Sequence, residues 1–260
     1  DAAVDTEQFH HFSAIFGLFS GAPVRIGFKV NPIRNPLYSH LINYELDGPE
    51  GQQFMRLLEP LGIRGLPSGV KDDLRDRVAA LPAWVESRLT AVSSAGGFAV
   101  LNPGSSTVYK LWPGDRFVDV ARRLHAEYGL GTVLTGSRSE NRHADKIASR
   151  IRDAGSPVVS LAGELTLPET AALLKRARLF VGGDSRLSHL AAAVGLAGVV
   201  LFGPSDHHKW GLENDRHIVV RKELPCAPCF IFGYHRPCRT IACMQGVAAD
   251  DVMAACRKLL

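Results

Sequence analysis

Phe98-Ala99-Val100-Leu101-Asn102-Pro103-Gly104-Ser105-Ser106 is an apolar run of strand length that stops at a Pro-Gly turn followed by two hydroxyl residues. The pattern recurs downstream. Residues 132–135 end in Thr135-Gly136-Ser137, 158–161 in Leu161-Ala162-Gly163-Glu164, 179–181 in Gly182-Gly183-Asp184-Ser185, and 199–202 in Phe202-Gly203-Pro204-Ser205, with a sixth run at 218–220. Between them, 115–127, 140–153, 168–177 and 187–194 carry apolar side chains three or four apart, and Pro168 suits a first helical turn. Strands alternating with helices predict an open α/β domain with a parallel sheet over residues 96–260.

Upstream the pattern is less regular. Helical periodicity covers 7–19, 52–61 and 71–92, the last interrupted at Pro82, and Val24–Phe28 is the one convincing strand. One strand cannot form a sheet. Ser93-Ser94-Ala95-Gly96-Gly97 reads as a small-residue linker. The division expected is therefore a partial domain over 1–95 and a complete one over 96–260.

Composition excludes several classes. With 46% hydrophobic and 22% charged residues among 260, the chain is globular, and no apolar run approaches the ~18–20 residues that span a bilayer. Residues 1–95 hold 9 Lys/Arg against 11 Asp/Glu, and 96–260 hold 21 against 15, so the net charge of +4 sits on the second part. Without Lys/Arg runs this suits a phosphate-bearing small molecule or an anionic membrane surface better than a nucleic acid.

Ligands of a parallel sheet bind at the carboxyl ends of its strands, where five glycine-containing turns line one edge here. Glycine lets backbone N–H groups approach a ligand, and helix N-termini favour phosphate. No Gly-x-x-x-x-Gly-Lys-Ser/Thr, no Gly-x-Gly-x-x-Gly after a strand and no Gly-x-Ser-x-Gly occurs, which disfavours P-loop ATPases, dinucleotide-dependent dehydrogenases and α/β serine hydrolases.

In order, the chain carries Asn102-Pro103-Gly104-Ser105-Ser106, Lys110-Leu111-Trp112-Pro113, Arg116-Phe117, Thr135-Gly136-Ser137 with Glu140, Leu161-Ala162-Gly163-Glu164, Asp184-Ser185 with His189-Leu190-Ala191-Ala192-Ala193, and Phe202-Gly203-Pro204. This set resembles glycosyltransferase family 9, the lipopolysaccharide heptosyltransferases, and Gly21-Ala22-Pro23-Val24-Arg25-Ile26-Gly27-Phe28 resembles that family's first domain from its middle onward. The resemblance implies a GT-B-like fold of two Rossmann-like domains facing a cleft, the first incomplete here. It implies inverting, metal-independent transfer of heptose from ADP-heptose to the lipopolysaccharide inner core, with no cofactor. The setting it implies is cytoplasmic, peripheral on the inner face of the bacterial inner membrane. Nucleic acid is not an expected partner.

By the same resemblance Lys110 meets the donor phosphates, Glu140 holds the nucleotide ribose and Asp184 binds the heptose. Ser105, Ser106, Gly136, Ser137, Gly163, Ser185 and His189 complete the expected donor site. Each position also has a plainer reading: an exposed loop lysine, a helix N-terminal charge at Glu140, N-capping by Asp184 or Ser185, and a helix-packed His189. Arg186 stands where the family usually has Gly, and Asp206-His207-His208-Lys209-Trp210 replaces a Pro-containing loop, so the exact sugar stays open. The family's catalytic aspartate is expected upstream of Asp1. A nucleotide-sugar epimerase and a non-catalytic nucleotide-sugar binding module are the alternative readings.

Four of the five cysteines, Cys226, Cys229, Cys238 and Cys243, crowd near the end of the chain. A four-thiolate structural zinc site, free or reversibly paired thiols, and a redox role are the readings open to them, and a reducing compartment fits the cysteine-free first 225 residues. Residues 247–260 read as an amphipathic terminal helix that packs on its own domain or crosses back to the first.

Overall fold

The computed structural model describes residues 1–8, 10–65, 78, 80–93, 96–212, 214–231, 234–235 and 238–260, with the backbone alone at Ile231, Tyr234 and His235. The chain forms two compact units, Asp1–Val70 and Lys71–Leu260.

In the second unit all six expected strands form: β4 (Phe98–Asn102), β5 (Gly131–Leu134), β6 (Val158–Ser160), β7 (Leu179–Gly183), β8 (Gly198–Phe202) and β9 (His217–Arg221). They make one parallel sheet in the order β6-β5-β4-β7-β8-β9. This is the doubly wound order, and it reverses between β4 and β7, the point at whose carboxyl ends such sheets bind their ligands.

Strand β4 shows why the sheet is buried on both sides. Its five residues are all buried, and their side chains alternate in direction. Ala99 and Leu101 join a core with α4 (Gly114–Tyr128), α5 (Asn141–Asp153) and α10 (Ala249–Leu259), through Phe117, Leu124, Ile147, Ile151, Val252 and Cys256. Phe98 and Val100 join the opposite core with α3 (Ala83–Leu89), α6 (Leu167–Arg176) and α7 (Arg186–Ala193), through Val85, Leu89, Leu174 and Ala191. Each such buried Leu or Phe contributes about 1.5–3 kcal/mol. Helix α10 packs on α4, β8 and β9 of its own unit.

Helix α3 begins after Pro82, as a proline-bounded helix should. The rest of the helix expected over 71–92 falls largely outside the described residues. Because Val85, Leu89 and Val92 pack in the second unit's core, the boundary between compact units precedes the linker read at 93–97. Of that stretch, Ser94 and Ala95 lie outside the described residues. Gly96 is no spacer: a Cβ there would overlap the carbonyl of Tyr128, so glycine is needed for the close approach that lets Gly131 N–H donate to the Gly97 carbonyl at 3.0 Å.

The first unit has more sheet than its periodicity suggests. Strands β1 (Ala2–Val4) and β3 (His40–Ile42) flank β2 (Val24–Phe28) in parallel, Ala2 opposite Val24 and Ile26 opposite His40. The sequence shows only β2, because three-residue strands carry too few side chains for a period of two to register. Helix α1 (Phe12–Phe19) is shorter than expected, since the Glu7 carboxylate accepts the backbone N–H groups of Gln8 and His10 just before it. Helix α2 (Glu50–Arg56) likewise stops short, and Pro60 sits in a separate 3₁₀ turn, Glu59–Leu61. Ile26, Phe28 and Leu57 form its small core.

Candidate functional site at the carboxyl edge of the second sheet

The switch point of the six-stranded sheet holds the central pair of the site. After β4, the Asn102 side-chain oxygen accepts the Gly104 N–H at 3.0 Å, and Ser105 Oγ accepts the Thr107 N–H at 3.4 Å. The chain then turns through the 3₁₀ segment Val108–Lys110, with Thr107 capping it. Asp184 follows β7, its N–H donating to the Leu201 carbonyl of β8 at 3.1 Å. Lys110 Nζ donates to Asp184 Oδ2 at 2.7 Å, with only 15% and 11% of the two side chains exposed. Residues far apart in sequence thus meet because β4 and β7 are neighbours.

A third side chain completes this cluster and has no counterpart in the sequence reading. The Phe230 ring centroid lies 4.7 Å from Lys110 Nζ. Spacing carries no signal for this contact, since an aromatic beside Cys229 looks like ordinary packing.

Glu140 sits one strand over. Ser137 N–H and Oγ both donate to Glu140 Oε2, at 2.6 and 2.7 Å, so the acid closes a capping box ahead of α5. Both readings of Glu140 therefore share one place: it caps a helix, and its carboxylate faces the first turn of the edge. A Cβ on Gly104 would overlap that carboxylate, and one on Gly136 would lie 3.2 Å from Oε2, so a side chain at either turn would have to displace the Glu140 carboxylate. At Gly163 the backbone is left-handed, with φ +77°.

Ser185 occupies the N-cap position of α7, and its Oγ is buried without a hydrogen-bond partner among the described residues. Burial pushes the half-buried His189 imidazole below its usual pKa, and the nearby Asp184 charge opposes that in part. Arg186 is exposed. The short helix α8 (His207–Trp210) is capped by Asp206, which accepts the His208 N–H at 2.9 Å.

Beside the Glu140 turn, a cavity of about 570 Å³ is lined by Arg138, Ser139, Asn141, Arg142, Gly163 and Glu164. This volume lies in the range of small-molecule sites. Of its lining residues Gly163 is in the donor site expected from sequence, and Glu164 belongs to the same quoted turn. The two arginines bring positive charge to the edge, and Glu164 is held by Arg88 at 2.5 Å.

The structure does not assemble the four-thiolate zinc site. Among the described residues no group of three or more His, Cys, Asp or Glu side chains converges as a metal-ligand set. Cys226 and Cys238 are exposed, Cys229 is half-buried, and Cys243 is buried against Gly203. Backbone N–H groups of Ile241 and Thr240 pull the Cys238 thiol down, while burial pushes Cys243 up.

The first unit has polar clusters that the sequence reading missed. Arg34 is fully buried; its Nη2 donates to Asp5 Oδ2 at 2.9 Å, to the Glu7 carbonyl at 2.6 Å and to the Tyr38 hydroxyl at 2.6 Å. Tyr38 donates to the same Asp5 oxygen at 2.5 Å. Nearby, Tyr44 and Gln8 both donate to Glu50.

With this geometry established, the sequence matches the model of glycosyltransferase family 9 (heptosyltransferase) over residues 2–238. The chain belongs to that family.

Among family 9 relatives, lipopolysaccharide heptosyltransferase 3 of Escherichia coli is 31% identical over 229 residues, which are 86% of this chain and 63% of that protein. The chain thus spans less than two thirds of that relative's length. Two solved heptosyltransferase structures share its fold. The E. coli ADP-heptose lipopolysaccharide heptosyltransferase II has 20% identity and a TM-score of 0.72, covering 99% of this chain and 75% of that one. The E. coli heptosyltransferase WaaC with ADP has 19% identity and a TM-score of 0.71, covering 100% and 73%. The α/β, GT-B-like architecture expected from sequence is that of these structures. Among the described residues no helix is long and apolar enough to cross a membrane.

Proposed function

We propose that the second unit is the donor site of a heptosyltransferase that moves heptose from ADP-heptose to a hydroxyl of the lipopolysaccharide inner core, with inversion and without a metal. The observation that carries this reading is the Lys110–Asp184 pair at the switch point of the sheet, nearly buried yet at the edge where ligands of such sheets bind. It fits the family match and the ADP held by the WaaC structure.

In this reading Lys110 meets the diphosphate. Glycosyl transfer leaves negative charge on the departing diphosphate, and an ammonium at a partly desolvated position stabilises that charge more strongly than one in water. Asp184, relieved of the lysine, accepts hydrogen bonds from sugar hydroxyls. Glu140 accepts from the ribose, keeping one oxygen on Ser137. The Ser105-Ser106 and Gly163 turns, Ser185 Oγ and His189 offer further polar contacts. The Arg138 and Arg142 cavity beside Glu140 is roomy enough for part of a nucleotide. Contact with an anionic membrane surface would suit the lipid-linked acceptor.

Calorimetry with ADP, UDP and GDP tests the donor assignment. ADP binds most tightly if the reading holds. Equal affinity for the three, or no binding, removes ADP-heptose as the donor. Product analysis with ADP-heptose and a heptose-deficient core acceptor separates transfer from epimerisation.

A further inference from the structure

We propose that Phe230 is a positioning residue for Lys110, its ring holding the ammonium where a donor diphosphate would meet it. The inference rests on the donor-site reading above.

Lys110 Nζ lies between an acid and a ring: Asp184 Oδ2 at 2.7 Å and the Phe230 centroid at 4.7 Å. The ring reaches this place from a distant part of the chain. Phe230 begins the two-stranded ribbon of β10 (Phe230–Ile231) and β11 (Tyr234–His235). Its backbone is tied to the sheet edge, because the N–H groups of Cys229 and Phe230 both donate to the Pro204 carbonyl, at 2.8 and 2.9 Å, and Ser205 bridges to Phe230. Pro204 and Ser205 follow β8, the neighbour of the strand that delivers Asp184. Three successive points of one edge therefore fix the lysine, the carboxylate and the ring.

The two partners act differently on an incoming diphosphate. Asp184 is an anion and competes with phosphate for the ammonium. An aromatic face attracts a cation through its quadrupole but carries no net charge, so it holds the ammonium without repelling phosphate. Its bulk also displaces water from one side of the nitrogen, which strengthens any phosphate contact on another side. A lysine otherwise has a flexible four-carbon stem whose freedom must be given up on binding. The ring lowers that loss in advance.

The test is ADP affinity by calorimetry in a mutant cycle, with adenosine as the control ligand. Phe230→Leu weakens ADP binding about two- to thirty-fold, the range of a cation–π contact, and leaves adenosine unchanged because it has no diphosphate. Phe230→Trp restores affinity. In a Lys110→Met background, Phe230→Leu has no further effect on ADP. Should Phe230→Leu misfold, singly to triply fluorinated phenylalanine at position 230 keeps the shape and weakens the π face stepwise, and ADP affinity falls with each fluorine. A loss equal in both backgrounds, or no trend with fluorination, overturns the inference while leaving the donor site intact. Without any donor, the ring shifts the Lys110 ε-methylene proton resonance upfield, and absence of that shift overturns the inference by itself. If Lys110→Met leaves ADP affinity at the wild-type level, the donor-site reading fails and the positioning role falls with it, whatever the ring shift shows.

Discussion

Two ion pairs follow parallel strands in this chain, and they are built to opposite ends. In the first unit Arg34 is fully buried, and its Nη2 joins Asp5, the Glu7 carbonyl and Tyr38 in one cluster, while Nε and Nη1 find no hydrogen-bond partner among the described residues. In the second unit Lys110 meets Asp184 through one hydrogen bond at an edge that is still partly open. The two carboxylates are about equally exposed, Asp5 at 10% and Asp184 at 11%, and the difference lies in the cations, Arg34 at 0% and Lys110 at 15%. A guanidinium with no exposed surface cannot exchange partners without unfolding its surroundings. A pair at an open edge can give one partner to a ligand. The first arrangement suits scaffold and the second suits the donor site proposed above, although both look in sequence like a charged residue after a short strand.

The contrast can be broken most sharply from the scaffold side. Asp5→Ala leaves a buried guanidinium without its counter-ion and should destabilise the fold by about 3–5 kcal/mol. Urea unfolding followed by circular dichroism measures this, and a loss below ~1 kcal/mol would place the Arg34 pair with ordinary surface pairs. On the site side, Lys110→Met should lower ADP affinity by about 10- to 100-fold, as a charge-assisted contact does, with a stability change under ~1 kcal/mol. A large stability loss without a binding effect would reverse the roles of the two pairs.

Smaller effects sharpen the comparison. Tyr38, held by burial and by its hydrogen bond to Asp5, has its pKa pushed up to about 12. Its folded pKa lies above the unfolded value near ~10, so the stability it contributes is whole below pH ~10 and is lost as pH rises toward 12. Tyr38→Phe removes that alkaline component from the pH dependence of unfolding. Glu140→Gln weakens the capping box by about 0.5–1 kcal/mol and reduces ADP affinity, whereas loss of stability alone would leave Glu140 as a cap only. The smallest effect concerns His189. Burial depresses its pKa, so its contribution is present above the unfolded value of ~6.5 and fades as pH falls through the folded pKa. Asp184→Asn removes the opposing charge and should push the His189 pKa lower still in an NMR titration; an upward shift would separate His189 from the site.

How much could be read in advance differed between the units for a physical reason. Strands β4 to β9 are covered by helices, so they must be apolar runs, and the helices between them must be amphipathic; both patterns are visible without knowing any contact. Strands β1 and β3 are three residues long, and the first unit's cohesion depends on side chains such as Gln8, Arg34 and Glu50 whose burial no periodicity announces. The glycines at 96 and 97 looked like a linker because small residues serve both for flexibility and for close backbone approach, and only the position of Tyr128 distinguishes the two.

The sequence by itself determined the alternation of strand and helix over 96–260, the edge on which the glycine turns lie, and the ordered motifs that carry the family resemblance, because each of these is a local pattern. The tertiary structure decided the rest. It decided that Lys110 meets Asp184, that Phe230 arrives from a ribbon near the cysteines, that the four cysteines do not assemble as a metal-ligand set, and that Arg34 is interior. These outcomes depend on strand order and on burial, and a chain records neither until it is folded.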